Sequence, residues 1–136
     1  MIPVNLSRLV MVENHDSQTV LLEEAEATGE PRRLTLLIGA NEAAELSRCL
    51  QKETSKRPLT HQLAANLLTA SKSELERAVI HNVQGGTYFA ELHLQSHGER
   101  VLVDCRPSDA LALCLRLGAP IFVTEEVLSA SSKGAQ

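Results

Sequence analysis

Asp104-Cys105-Arg106-Pro107-Ser108-Asp109 runs directly into Ala110-Leu111-Ala112-Leu113-Cys114-Leu115-Arg116-Leu117-Gly118. This passage decides the fold. The residues before it, Arg100 to Cys105, are β-branched and apolar enough for a strand. Pro107 suits the first turn of a helix, where its missing N–H is harmless. Ser108 and Asp109 favour the positive end of the helix dipole. Ala110 to Leu117 is apolar on nearly every side, so the helix is predicted to be buried. Gly118 stops it, and Pro120-Ile121-Phe122-Val123-Thr124 reads as one more short strand. A buried helix leading from one strand to another needs a sheet to lie on.

Upstream of this passage, Val79, His81 and Val83 alternate with Ile80 and Asn82, and Gly85-Gly86 makes a turn. Tyr88, Ala90, Leu92 and Leu94 then share one strand face, with Phe89, Glu91, His93 and Gln95 on the other. Further back, Asn41 opens a helix to about Glu53, with Ala43, Leu46, Cys49 and Leu50 on one face. Thr60 caps a second helix over 61–71. At the start of the chain, residues 2–13 and 18–25 flank Asn14-His15-Asp16-Ser17, which has hairpin chemistry. Residues 33–38 form a third strand. The order is βββ-αα-βββ-α-β, an α+β domain with a mixed or mainly antiparallel sheet and about three helices. We place the folded domain at residues 1–128 and a mobile, small and polar tail at 129–136.

Composition agrees. The chain has 136 residues, 43% hydrophobic and 22% charged, which is enough for one domain with its own core. Its radius of gyration should be about 14 Å. Aromatics make up 2%, which excludes a domain that binds single strands on many stacked rings. Net charge is −4, so any nucleic-acid contact must come from a local patch. Such clusters exist at Arg48, Lys52, Lys56 and Arg57, and at Arg32-Arg33; a solvated amphipathic face is the plainer reading and a nucleic-acid contact surface the sharper one. Cysteines number three, without CxxC spacing, so neither a disulfide framework nor a thiolate zinc site is expected. No basic leader with an apolar run is present, and a soluble, cytoplasmic setting is expected. GxGxxG, Walker A and HExxH motifs are missing, which leaves dinucleotide, P-loop and zincin readings without support and predicts no organic cofactor.

Two segments carry more polarity than a turn requires: Arg57-Pro58-Leu59-Thr60-His61 and Asp104 to Asp109. Each places an Arg-Pro pair ahead of a helix. A helix start offers free N–H groups for phosphate, and Arg57 and Arg106 can clamp its oxygens, with Thr60 and Ser108 adding hydroxyls. His61 is a candidate acid or base, because imidazole titrates near neutrality. Asp104 and Asp109 are candidate catalytic carboxylates. With Glu91 and Glu42 they are also candidate ligands for Mg²⁺ or Mn²⁺, the usual cations of phosphodiester hydrolysis. A plainer account has Thr60 and Ser108 capping helices and Arg106 bracing Asp109 or Asp104.

Four segments together resemble the bifunctional nuclease domain family: Arg57 to His61; Gly86-Thr87-Tyr88-Phe89-Ala90-Glu91-Leu92; Asp104 to Ala110; and Gly118-Ala119-Pro120-Ile121-Phe122-Val123. Ile38-Gly39 followed by Glu42-Ala43 fits the same pattern. The resemblance covers about residues 5–128. It implies an α+β domain, often self-associating, found in bacteria and plants, with nuclease activity on RNA and DNA. One departure stands out: the family usually has an acid directly after the threonine-histidine pair, and here the residue is Gln62. The functional expectation is a metal-assisted nuclease. Its rival is a non-catalytic phosphate- or nucleotide-binding or regulatory module, and a homodimer or higher homo-oligomer suits either.

Overall fold

In the computed structural model, residues 1–134 are described, with side chains to Ser131. Strands β1 (Ile2–Val10), β2 (Ser17–Glu24) and β3 (Arg33–Gly39) come first, followed by helices α1 (Ala40–Gln51) and α2 (Thr60–Ala70). Then come β4 (Ser73–Gln84), β5 (Thr87–Ser96), β6 (Glu99–Cys105), α3 (Pro107–Leu117), β7 (Ile121–Val123) and α4 (Glu125–Gly134). The expected α+β order is present, with a fourth helix added. Residues 129–134, read from sequence as part of a polar tail, form the second half of α4; Ala135 and Gln136 lie outside the described residues.

All seven strands join one sheet in the order β3-β2-β1-β7-β4-β5-β6. Two antiparallel three-stranded units, β3-β2-β1 and β4-β5-β6, are joined by β7, which runs antiparallel to β1 and parallel to β4. The period-2 pattern sets which face is buried. Val20 and Leu22 of β2 and Leu34 and Leu36 of β3 are at most 2% exposed, and each such burial stabilises by about 1.5–3 kcal/mol. On β5, Ala90, Leu92 and Leu94 face the core, as the alternation predicts. Gly85 and Gly86 both have positive φ, 56° and 83°, the geometry of a two-residue hairpin turn.

Helix α3 packs against β4, β5, β7, α1 and α2. Ala110, Leu111, Ala112, Leu113 and Cys114 are buried, which answers the all-round apolar sequence. α1 lays Ala43 and Leu46 into the same core. α2 is only half used: Ala64 and Leu68 pack inward, while Leu63 and Leu67 are exposed. Helix starts differ from the sequence reading by a residue or two. Gly39, not Asn41, caps α1, and Leu59, not Thr60, caps α2, neither with a side-chain hydrogen bond. Gly118 caps α3 in the left-handed region, φ 71°. A Cβ there would meet no neighbour within 4 Å, so the backbone alone carries the penalty. Gly118→Ala is expected to cost about 1 kcal/mol, read as a melting point lower by several degrees.

This packing brings the first turn of α3 beside the starts of α1 and α2. Side chains distant in sequence meet there.

Candidate functional site

Arg106 is the N-cap residue of α3 and Asp109 its third residue. The Asp109 carboxylate folds back over the helix start. Oδ2 accepts from the Arg106 backbone N–H at 3.2 Å and from Arg106 Nε at 2.9 Å. Oδ1 accepts from Arg106 Nη2 at 2.8 Å and pairs with His61 Nε2, also at 2.8 Å. An ionised carboxylate only accepts, so His61 donates through Nε2–H. Nδ1 is then the nitrogen with an open lone pair, and it has no hydrogen-bond partner among the described residues. Burial works to raise the Asp109 pKa. Hydrogen bonds from the Arg106 side chain, His61 and the Arg106 backbone outweigh it and bring it down to about 2. Asp109 is therefore ionised at any pH near neutrality.

The two polar segments thus come together through His61 and Asp109, from sequence positions 48 apart. Arg106 stays 59% exposed, and its Nη1 lies 3.5 Å from Glu42 Oε2. The Glu42 carboxylate leans over Gly39, in space that any Cβ would fill. Arg106 and Glu42 form the ridge between two open clefts. One, about 380 Å³, is lined by Glu42, Arg48, Thr60, His61 and Arg106 among others. The other, about 300 Å³, runs between Ile38, Tyr88, Arg106 and Ser108.

Of the remaining candidates, Ser108 lines the second cleft from within the first turn of α3, and Arg57, Asp104 and Glu91 lie outside both. Arg57 is exposed. Ser108 is buried in the first turn of α3, 6% exposed. Asp104 and Glu91 are cross-strand partners on the sheet face away from Ala90 and Leu92. There Glu91 Oε1 accepts from His93 Nε2 at 3.1 Å, and His81 stands 3.8 Å away. As placed, the four carboxylates do not form a shell for a divalent cation. Both Asp109 oxygens already accept two hydrogen bonds each, and no three His, Cys, Asp or Glu among the described residues gather as metal ligands.

A second ionic group supports the wall of the first cleft. Glu45 is 2% exposed. Its Oε2 accepts from Arg116 Nε at 2.7 Å and its Oε1 from Arg116 Nη2 at 2.8 Å. Arg48 Nη2 adds 3.2 Å to Oε1, and the Cys49 thiol adds 3.3 Å to Oε2. Burial pushes the Glu45 pKa up, but Arg116 and Cys49 more than offset it, so the net shift is downward. The same burial, helped by Glu45, raises the Cys49 thiol to about 11. Arg116 Nη1 also donates to Gln62 Oε1 at 2.7 Å. Gln62 therefore spends its carbonyl on Arg116. Sequence reasoning missed the partnership of Arg116 and Glu45. Its one signal was Arg116, a lone cation near the end of a helix apolar nearly all round, whereas Glu45 sits among the other charges of α1. Both members of the Arg32-Arg33 pair are engaged, Arg32 with Glu24 and Glu125 and Arg33 with Glu23.

No helix among the described residues is long and apolar enough to cross a membrane. Two uncharacterized Mycobacterium tuberculosis proteins, MT1877 (strain CDC 1551 / Oshkosh) and Rv1829 (strain ATCC 25618 / H37Rv), are each 39% identical over 120 residues. Each match spans 88% of this chain and 70% of the relative. The model of the bifunctional nuclease domain matches residues 20–136. That span takes in both clefts, the His61–Asp109 pair and every strand from β3 onward, and the chain belongs to the bifunctional nuclease domain family.

Proposed function

We propose that the protein hydrolyses phosphodiester bonds of RNA and DNA in the cleft shared by α1, α2 and the start of α3. The observation that carries this is the His61–Asp109 pair at 2.8 Å, set against a guanidinium more than half exposed. A phosphate entering the cleft meets Arg106 Nη1, which exchanges its long contact to Glu42 for a phosphate oxygen. The first-turn N–H groups of α3 add positive potential. His61 Nδ1 takes the proton from the attacking hydroxyl, a water in DNA or the ribose 2′-hydroxyl in RNA. The bond from phosphorus to the leaving sugar oxygen breaks as the new P–O bond forms, that oxygen is protonated from solvent, and in RNA water then opens the cyclic phosphate. Asp109 fixes the ring through Nε2 and stabilises the imidazolium that forms. Thr60 lines the same cleft, and its hydroxyl hydrogen-bonds the substrate in this reading. With a net charge of −4 and one clamp, binding involves few phosphates, so its salt dependence is shallow.

The test is cleavage of labelled single-stranded RNA and DNA by the purified protein, with and without added magnesium. His61→Ala is expected to slow cleavage by about 10²–10⁴-fold. Equal rates for wild type and variant, or no cleavage by wild type, overturn the proposal. A second reading, nucleotide binding without turnover, draws on the full engagement of Asp109 by Arg106. It predicts thermal stabilisation by a mononucleotide in a protein that cleaves nothing.

A further inference from the structure

β6 is the last strand of the sheet. Its inner edge pairs with β5 from Ala90↔Cys105 to Ser96↔Glu99. Along its outer edge the backbone N–H and C=O groups meet no strand. Six of its seven residues are exposed, including Val101 at 40%, Leu102 at 54% and Val103 at 39%. Proteins usually protect such an edge with proline, a bulge, inward charges or a covering helix. β6 contains no proline, and its pairing with β5 is in continuous register. The opposite edge, β3, packs against α1 and α4. An apolar, straight, open edge is a template for another strand.

The order of residues in β6 says which strand. Two copies related by a two-fold axis pair antiparallel, each residue opposite one whose number mirrors it about the centre. Centred on Leu102, the midpoint of Glu99–Cys105, every residue of the strand finds a partner. Leu102 faces Leu102 and Val101 faces Val103. Arg100 faces Asp104, twice over by symmetry. The neighbouring symmetric registers are worse. Centring on Val101 sets Arg100 against Leu102 and Glu99 against Val103. Centring on Val103 sets Leu102 against Asp104 and Arg100 against Arg106. Slipping one step further either way places Arg100 on Arg100 or Asp104 on Asp104. Opposite charges and apolar pairs directly across an antiparallel ladder stabilise it, and like charges destabilise it.

We infer that β6 is a self-recognition edge: two copies of this chain join β6 to β6, antiparallel about Leu102, into one continuous sheet. Leu102, Arg100 and Asp104 then lie on the sheet face that carries His93 and Glu91, away from the helices. Arg100 gives up only a long contact to Glu76, 3.6 Å.

Sedimentation equilibrium of the full chain tests this. Wild type is expected at twice the 14.8 kDa chain mass. Arg100→Asp and Asp104→Arg each set like charges opposite each other at two symmetric sites and should weaken the dimer roughly tenfold or more. The double variant R100D/D104R restores both pairs and should recover the wild-type mass. Leu102→Lys places two ammonium groups face to face and should give monomer. All three substituted positions are exposed, and circular dichroism checks that the fold is kept. A monomeric wild type overturns the inference and leaves the edge to a foreign strand. A dimer unmoved by Leu102→Lys and by both single charge reversals overturns it as well. Failure of the double variant to recover what the single variants lose refutes the register.

Discussion

Glu45→Ala is expected to lower the unfolding free energy by about 3–5 kcal/mol. The Glu45 side chain is 3% exposed and that of Arg116 14%. Without the carboxylate, the Arg116 guanidinium loses both of its short contacts to Oε1 and Oε2 and keeps only Gln62 Oε1. Arg48 loses its Glu45 contact too, and its Nε is already buried without a partner. A charge kept from water with nothing to balance it is the costly outcome. In a chain of this size the loss corresponds to a melting point lower by about 10–20 °C. Urea unfolding checks it, and a change below about 1 kcal/mol would show that water reaches Arg116. Replacing Glu45 and Arg116 together by apolar residues of similar volume should cost far less than the single change, because no charge is then stranded.

Asp109→Asn is expected to have the largest effect on chemistry. Asparagine has one carbonyl oxygen where aspartate offers two acceptors, so its amide nitrogen must face either His61 Nε2 or the Arg106 donors. Facing Arg106, it sets donor against donor and removes the charge that stabilises the imidazolium; facing His61, it favours the tautomer with the proton on Nδ1, which removes the base. Cleavage should fall by about 10²–10⁴-fold while the fold survives. The same variant has a pH signature. The native pKa of Asp109, about 2, lies below its ordinary 3.8. A depressed carboxylate contributes stability in full above its unfolded pKa and loses it as pH falls through its folded pKa. The stability gap between wild type and Asp109→Asn should therefore be constant above about pH 4 and close as pH falls toward 2. A gap that widens on acidification would contradict the Arg106 and His61 contacts. Glu45, also shifted downward, adds to the acid sensitivity of both proteins.

The strands and the first three helices were legible because their signals are local. Ala90, Leu92 and Leu94 alternate, Gly85-Gly86 turns, and Pro107 to Gly118 starts and stops one helix. Helix α4 was not, because Ser129-Ala130-Ser131-Ser132 is small and polar in sequence and resembles a linker. Its signals were smaller: Thr124 Oγ1 accepts from the Val127 N–H at 3.3 Å, and Val127 and Leu128 are buried. Within the site, His61, Arg106 and Asp109 were readable as two polar helix starts, since each sits where a helix offers free N–H groups. Their meeting was not, because contact across 48 positions is set by how α2 lies on α3. For the same reason Arg57, in an equally suggestive Arg-Pro pair, ends up outside both clefts. The Glu45–Arg116 pair, 71 positions apart, lies beyond any periodicity argument.

The place of β7 in the sheet bears on how the chain is made. Positions 121–123 emerge from the ribosome after both three-stranded halves are complete. Until then Ile2 to Val4 on one half and Ala78 to Ile80 on the other, the stretches that β7 will pair, remain open to any strand nearby. A nascent chain stalled just short of Ile121 would carry two adhesive borders and no means of uniting them. Such a stall is the point in its biosynthesis at which a chaperone has most to shield.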